Sequence, residues 1–224
     1  MGLILVIIIA LAGVTYLLPS YISNQISGRI AKNLQTETVE AQVETTPNFM
    51  LLLGQIDNIN IKTTNIKLDK VTLNELSLQG KNVEISVQDL LLARRLVVNS
   101  AEQLTIAGII DEVNLTRLLS EEADKFDDVV VKINPENIKA TGKISFFGQE
   151  AIVDVQGIIV LDGKNIMLRI TDASTKNNLL GKIGISFTKD IFLFSADKLP
   201  LQNAKFTKVE QQNGQILIEA GINK

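Results

Sequence analysis

The sequence predicts a β-rich fold of the α+β class, preceded by an N-terminal membrane helix. Hydrophobic residues make up 46% of the 224 residues but aromatic residues only 4%, so the apolar side chains are mainly Ile, Leu and Val. Branched aliphatic side chains pack well on the pleated surface of a sheet. Apolar and polar residues alternate over much of the chain, as in half-buried strands, whereas the N-terminal stretch is apolar and carries no side-chain charge before Arg29.

The N-terminal stretch over residues 1–19 is long enough to be a membrane helix. A bilayer core about 30 Å thick needs roughly 20 apolar helical residues, with about 17 as the lower limit. Tyr16 and Tyr21 lie at its distal end, as expected at a membrane interface, and Pro19 predicts the end of the helix. We expect an uncleaved signal anchor. A cleaved signal peptide, with Ala10-Leu11-Ala12 as its cleavage site, and a buried core helix are the alternatives.

A juxtamembrane helix is predicted over residues 20–37. Its apolar residues recur every four positions and so form one narrow stripe, made of Ile22, Ile26, Ile30 and Leu34. Such a helix either lies on the bilayer surface or packs against its own domain, and we favour packing against the domain.

Residues 38–224 are predicted to form a single β-rich domain, since no internal repeat or low-complexity linker divides them. The segment 183–194 fits either a strand or a helix. Alternation and short apolar runs predict strands within residues 39–43, 59–68, 71–87, 104–110, 129–133, 138–147, 151–161 and 166–170, and a closing hairpin over 205–219.

Turn and cap residues divide this domain into its elements. Hairpin turns are predicted at Lys81-Asn82, Asp162-Gly163 and Asn213-Gly214. Pro47 and Gly54 are expected to begin and end a short helix. A second short helix is expected after its N-cap residue, Asn114, with an apolar side formed by Leu115, Leu118 and Leu119.

Composition excludes several kinds of chemistry. The chain has no Cys and no His, so disulfides, Cys-based zinc sites, thiol nucleophiles, Ser-His-Asp triads and His-metal sites cannot form within it. The net charge is −3 and no basic block is present. Nucleic-acid binding needs a basic surface that displaces counterions from phosphates, so we predict no nucleic-acid partner.

The acidic residues do not indicate a catalytic or metal site. Asp57 is interpreted as a turn or cap residue. The acidic cluster within residues 121–128 is interpreted as the solvated end of a helix, because it lacks the spacing and central Gly of a calcium loop. A carboxylate enzyme such as a glycosidase is formally open, but no Asp or Glu pair has a recognisable context. We predict no enzyme activity, no catalytic residue, no metal and no cofactor.

Residues 51–87 carry a more specific pattern than alternation. A Leu-x-Gly-x-Ile-Asp run is followed by Ile-x-Ile, then by a Val-x-Leu-x-x-Leu-x-Leu block and a further Val after a short turn. The matching residues are Leu52, Gly54, Ile56, Asp57, Ile59, Ile61, Val71, Leu73, Leu76, Leu78 and Val83. This pattern resembles the opening of the LmeA-like phospholipid-binding family of bacteria. The segment 109–119 and Leu199-Pro200-Leu201 also fit, so that the resemblance covers about residues 38–222.

The resemblance implies an elongated α+β domain similar to tubular lipid-binding proteins, in which a strongly curved, mainly antiparallel sheet wraps around one or two helices. It implies a phospholipid or another apolar molecule as ligand, carried between membranes or presented during envelope biogenesis. It also implies an extracytoplasmic domain on the bacterial cell membrane. We prefer that location although Arg29 and Lys32, taken alone, favour a cytoplasmic domain by the positive-inside rule.

An aliphatic groove needs little polar chemistry, because each buried CH₂ of an acyl chain contributes about 0.8 kcal/mol. Arg94 and Arg95 are candidates for contacting an anionic headgroup, although adjacent arginines also fit a solvated loop. The apolar residues also fit a dry core, so the alternative function is a membrane-anchored structural or scaffolding protein without a ligand. The candidate lining residues are Ile59, Ile61, Leu76, Leu78, Val83, Ile85 and Val87.

Overall fold

The computed structural model describes residues 2–34, 36, 38–122, 127–146, 149–177, 181–185, 189–199, 201 and 204–222. Asp124, Phe147 and Pro200, which belong to predicted elements or motifs, lie outside the described residues, as do the side chains of residues 2–15 and of Leu34.

Two α-helices and twelve strands are present among the described residues, and the predicted α+β class is confirmed. The helices are α1 (Gly2–Leu34) and α2 (Glu112–Glu122). Two short helical turns interrupt the first strands: the Phe49 turn (Asn48–Leu53) and the Leu92 turn (Asp89–Ala93). The strands are β1 (Val39–Glu44), β2 (Gln55–Leu68), β3 (Val71–Ile85), β4 (Val98–Asp111), β5 (Asp127–Ile133), β6 (Ile138–Phe146), β7 (Gln149–Asp162), β8 (Asn165–Asn177), β9 (Gly181–Ile185), β10 (Lys189–Ser195), β11 (Lys205–Gln212) and β12 (Gln215–Gly221).

The strands form two sheets, with the orders β1-β2-β3-β4-β12-β11 and β10-β8-β7-β6-β5, and β9 pairs with β8. Every strand pair whose register is described is antiparallel, as predicted. The chain divides into two compact units. Unit 1 consists mainly of residues 1–64 and 76–106, and unit 2 of residues 65–75 and 107–223.

In unit 1, helix α1 packs against β1 and the Phe49 turn. The predicted stripe is confirmed as a packing face, because Ile22, Ile26 and Ile30 are all buried. The expected end of the helix at Pro19 is wrong, since α1 continues through it. A proline in a helix interior costs about 3 kcal/mol, and burial of apolar residues on both sides of Pro19, including Leu18, offsets this cost.

The expected hairpin turn at Lys81-Asn82 is also wrong, because β3 runs through both residues. Asn82 adopts φ 46° and its side-chain amide donates to the carboxylate of Glu102 on β4. An extra residue with positive φ is the mark of a bulge, which shifts the alternation by one without reversing the chain. The reversal between β2 and β3 falls instead at Asp69 and Lys70.

Unit 2 contains the second sheet, α2 and the closing hairpin. The predicted hairpins at Asp162-Gly163 and Asn213-Gly214 are present, with Gly163 and Gly214 at positive φ. The expected N-cap of α2 is wrong by three residues. The helix begins at Glu112, and the Asp111 carboxylate accepts the backbone N–H of Asn114, which places Asn114 in the first turn.

The ambiguous segment 183–194 is strand wherever it is described, in β9 and β10. In the part of the chain that the structure describes, no helix combines the length and apolar character that crossing a bilayer requires.

Candidate functional site

The predicted lining residues lie together in unit 1, on β2, on β3 and just beyond the end of β3. Six of the seven expose only 2–7% of their surface, and Val87 is half-buried. On β2, Ile59 is paired with Val43 and Ile61 with Ala41. Directly paired residues of antiparallel strands point to the same side of the sheet, so these four side chains share one aliphatic face.

Residue Gly80 shows that β3 and β4 contribute to the same face. A Cβ atom built on Gly80 would lie 2.6 Å from Val83 Cγ2, 2.8 Å from Ile59 Cγ2 and 2.8 Å from Leu104 Cδ1. The bulge at Asn82 explains how Val83 returns to the side on which Gly80 lies, three residues earlier. We call this aliphatic side of β1 to β4 in unit 1 the apolar face.

The opposite side of the same strands is polar and contains a cleft of about 440 Å³. Asn60 lies here, on the side away from Ile59 and Ile61, and its side-chain oxygen is buried without a hydrogen-bond partner among the described residues. The cleft is lined by Gln42, Glu44, Asn58, Ile59, Asn60, Gln79, Gly80, Lys81, Gln103 and Thr105.

The cleft lining supplies amides, a hydroxyl, one carboxylate and one ammonium group, the last two from Glu44 and Lys81. Such a set donates and accepts hydrogen bonds without a strong net charge. This cleft is not among the predicted sites, although the sequence carries a signal for it: Asn and Gln occupy positions that alternate with the predicted apolar residues. Of the predicted lining residues, Ile59 also borders the cleft, although its side chain belongs to the apolar face.

Arg94 and Arg95 follow the Leu92 turn and are both exposed. Arg95 Nη2 lies 2.9 Å from Asp89 Oδ1, and the hydroxyl of Ser86 donates to the other Asp89 oxygen at 2.6 Å. The Ser86 hydroxyl and then the Arg95 guanidinium lower the pKa of the Asp89 carboxyl below its usual value. Arg94 takes part in no ion pair among the described residues and adopts φ 57°.

The acidic residues behave as structural groups. Asp57 lies within β2 rather than in a turn, and its Oδ2 accepts the backbone N–H of Thr46 at 2.8 Å. In unit 2, Glu122 pairs with Lys70 at 2.7 Å, and Asp128 pairs with Lys143 at 2.8 Å. The Lys143 ammonium lowers the pKa of the Asp128 carboxyl. Within the described residues no group of three acidic side chains is placed to hold a metal ion.

Comparison with known families gives a match over nearly the whole chain. The model of the LmeA-like phospholipid-binding family matches residues 14–220. The chain belongs to this family. No curated protein and no solved structure matches the chain.

The match to the LmeA-like family begins before the resemblance seen in the sequence. It includes residues 14–37, where α1 places Leu18, Ile22, Ile26 and Ile30 in the core of unit 1. The second half of α1 is therefore part of the LmeA-like domain rather than a linker to it. The family and its sheet-rich fold fit lipid binding.

Proposed function

We propose that this LmeA-like chain is a membrane-attached protein of the bacterial cell envelope that binds or transfers phospholipid. The observation that carries the proposal is the family match over residues 14–220, together with an apolar face that β2, β3 and β4 build almost entirely from Ile, Leu and Val.

The apolar face suits acyl chains for a physical reason. Each CH₂ that leaves water contributes about 0.8 kcal/mol, so an aliphatic wall holds a lipid tail without directed polar contacts. Leu78, Val83 and Ile85 present such a wall on β3, and they return to one side because of the bulge at Asn82. In this proposal the acyl chains lie against these three side chains.

Membrane attachment is assigned to the first half of α1. Residues 2–17 are apolar and Tyr16 and Leu17 are exposed, whereas the stripe of α1 that begins at Leu18 is buried in unit 1, so this proposal gives residues 2–17 to the bilayer. Tyr16 is 82% and Tyr21 51% exposed, as suits an interface, and the domain lies on the extracytoplasmic side in this proposal.

One observation favours a second candidate, a membrane-attached structural protein without a ligand. Ile59, Ile61 and Ile85 each expose less than a twentieth of their surface, and a close-packed interior produces the same burial. The two functions differ in whether the apolar face opens to admit a lipid tail.

A photo-crosslinking experiment separates them. The full chain in nanodiscs would be loaded with phospholipid that carries a diazirine near the end of one acyl chain, and adducts would be mapped by tandem mass spectrometry. We expect adducts on Leu78 and Val83 of the apolar face, with Asn58 and Gln79 of the polar side as internal controls. Adducts confined to residues 2–17, with no phospholipid retained after delipidation and reloading, would favour the structural protein.

A further inference from the structure

We propose that the Phe49 turn and the Leu92 turn form a membrane-docking surface, which holds unit 1 against a bilayer containing anionic phospholipid. This inference rests on the proposed function only in taking a bilayer as the partner. It goes further because it assigns a second membrane contact, separate from residues 2–17 of α1.

Both turns expose large apolar side chains. In the Phe49 turn, Phe49, Leu52 and Leu53 are 50%, 57% and 63% exposed. In the Leu92 turn, Leu92 is 82% exposed. Each turn is also held down by one fully buried leucine: Leu51 is 1% exposed and Leu90 0% exposed. A turn anchored by one leucine while its neighbours face water is the arrangement expected of a surface that meets another apolar phase.

The two turns emerge side by side. The Phe49 turn ends at Gly54, whose carbonyl accepts the backbone N–H of Ile85 at 2.8 Å. Ile85 is the last residue of β3, and the chain enters the Leu92 turn four residues later. The backbone N–H of Ser86 donates to the carbonyl of Val97 at 3.0 Å, which closes the loop that carries the Leu92 turn. Both sets of exposed side chains therefore lie at the end of the sheet where β2 begins and β3 ends.

Helix α1 lies beside that same end of the sheet. It contacts both turns. The chain passes from α1 into β1 and then directly into the Phe49 turn, so that β1 runs back along the helix. The six residues of β1 rise about 20 Å, the length of roughly 13 helical residues. Counted back from the end of α1 at Leu34, this length places the Phe49 turn level with about residue 21 of the helix. Close to this level Tyr16 and Leu17 are exposed and Leu18 is buried, and the apolar residues 2–17 lie toward the end that carries the turns.

The charge next to the Leu92 turn favours a bilayer over a protein partner. Arg94 and Arg95 directly follow the turn, and Asp89, the acidic residue within it, is already paired with Arg95. Arg94 thus adds positive charge beside the exposed leucines, although the whole chain carries a net charge of −3. Apolar side chains flanked by arginine, beside an apolar helix, match the layering of acyl chains and anionic headgroups in a membrane surface.

The chain lacks Trp, so a single introduced Trp reports its own depth in the bilayer. The variants are Leu92→Trp and Leu53→Trp in the full chain, reconstituted in vesicles of phosphatidylglycerol and phosphatidylcholine with brominated acyl chains. Leu161→Trp is the matched control, because Leu161 is 45% exposed on β7 of unit 2. We expect bromine to quench Trp at positions 92 and 53 and to leave Trp at position 161 unchanged.

A second arm tests the arginine. Arg94→Asn removes one charge and keeps a residue that tolerates positive φ, and Lys139→Gln removes one charge from exposed β6. In the Leu92→Trp background we expect Arg94→Asn to lower the ratio of quenched to unquenched protein about fivefold in anionic vesicles, and Lys139→Gln to leave it unchanged.

The outcomes are separable from those for lipid binding. Trp at positions 92 and 53 that stays as unquenched as Trp at position 161 would overturn the docking surface, even if the acyl photo-crosslinks appear on the apolar face. Equal effects of Arg94→Asn and Lys139→Gln would overturn the role of Arg94. Quenching at 92 and 53 without any photo-crosslink on the apolar face would support docking and contradict the proposed lipid binding.

Discussion

Replacing Gly54 by Ala tests the contact between the Phe49 turn and the end of β3. Gly54 adopts φ +80°, and a Cβ atom added there would lie 2.0 Å from the carbonyl oxygen of Ile85. The left-handed conformation costs an alanine about 1–2 kcal/mol. The collision is with backbone rather than with a flexible side chain, so relieving it must shift the Phe49 turn away from β3.

The contacts of Gly54 determine how far Gly54→Ala should lower the free energy of unfolding. Overpacking a closely packed site costs about 1–3 kcal/mol, and weakening the 2.8 Å hydrogen bond from Ile85 N–H to Gly54 O removes about 1 kcal/mol more. Added to the left-handed penalty, these give a loss of roughly 3–6 kcal/mol in the free energy of unfolding. That is a large part of the 5–15 kcal/mol typical of a domain.

Gly214 provides the matched control. It adopts φ +79°, almost the same as Gly54, but a Cβ atom there would meet nothing within 4 Å. Gly214→Ala should therefore cost only the left-handed penalty of about 1–2 kcal/mol. The assay is urea unfolding of the full chain in a mild detergent, followed by far-UV circular dichroism. Equal losses for the two variants would refute the close approach of the Phe49 turn to β3.

Three further predictions concern the packing of α1 and the start of α2. Ile26→Ala should lower the free energy of unfolding by about 2–5 kcal/mol, because Ile26 is fully buried, whereas Tyr21→Ala on the same helix should cost far less; urea midpoints compare them. Asp111→Ala should cost about 1 kcal/mol by the same assay, and Asp111→Asn much less, because Asn also caps a helix. A loss for Asp111→Asn as large as for Asp111→Ala would show that the cap is unimportant. The Glu112 carboxylate accepts the backbone N–H of Ile133, and this hydrogen bond, together with a nearby ammonium group, lowers the pKa of Glu112 in the folded state. Ionised Glu112 therefore stabilises the fold at pH values above its unfolded pKa, and this stabilisation is lost as the pH falls through its folded pKa. Glu112→Gln should flatten the acid side of the stability–pH curve, and an unchanged curve would contradict this.

Part of the fold follows from the sequence alone. The four-residue spacing of Ile22, Ile26 and Ile30 predicts a buried helix stripe, and these side chains are buried. The closing hairpin at Asn213-Gly214 is equally local, because a glycine at positive φ is what its tight turn requires. The family resemblance also rests on local pattern, and the family match over residues 14–220 confirms it.

Other features were decided by tertiary structure. A slip in the alternation at Asn82 fits both a turn and a bulge, and only the pairing of β3 with its neighbouring strands selects the bulge. Pro19 and its nearest neighbours in the sequence predict a helix end, yet burial of the residues around Pro19 keeps α1 continuous. The polar cleft joins Gln42, Asn60 and Gln103 from separate strands.

The difference between the features that the sequence predicts and those that the tertiary structure decides has one physical reason. The preference of a residue for helix, turn or strand acts over a few neighbours, and the sequence displays it directly. The side of a sheet that a residue faces, and the residues that it meets there, depend on pairing between segments far apart in the chain. Gly80 shows this, because its close approach to Ile59 and Leu104 exists only once three strands are assembled.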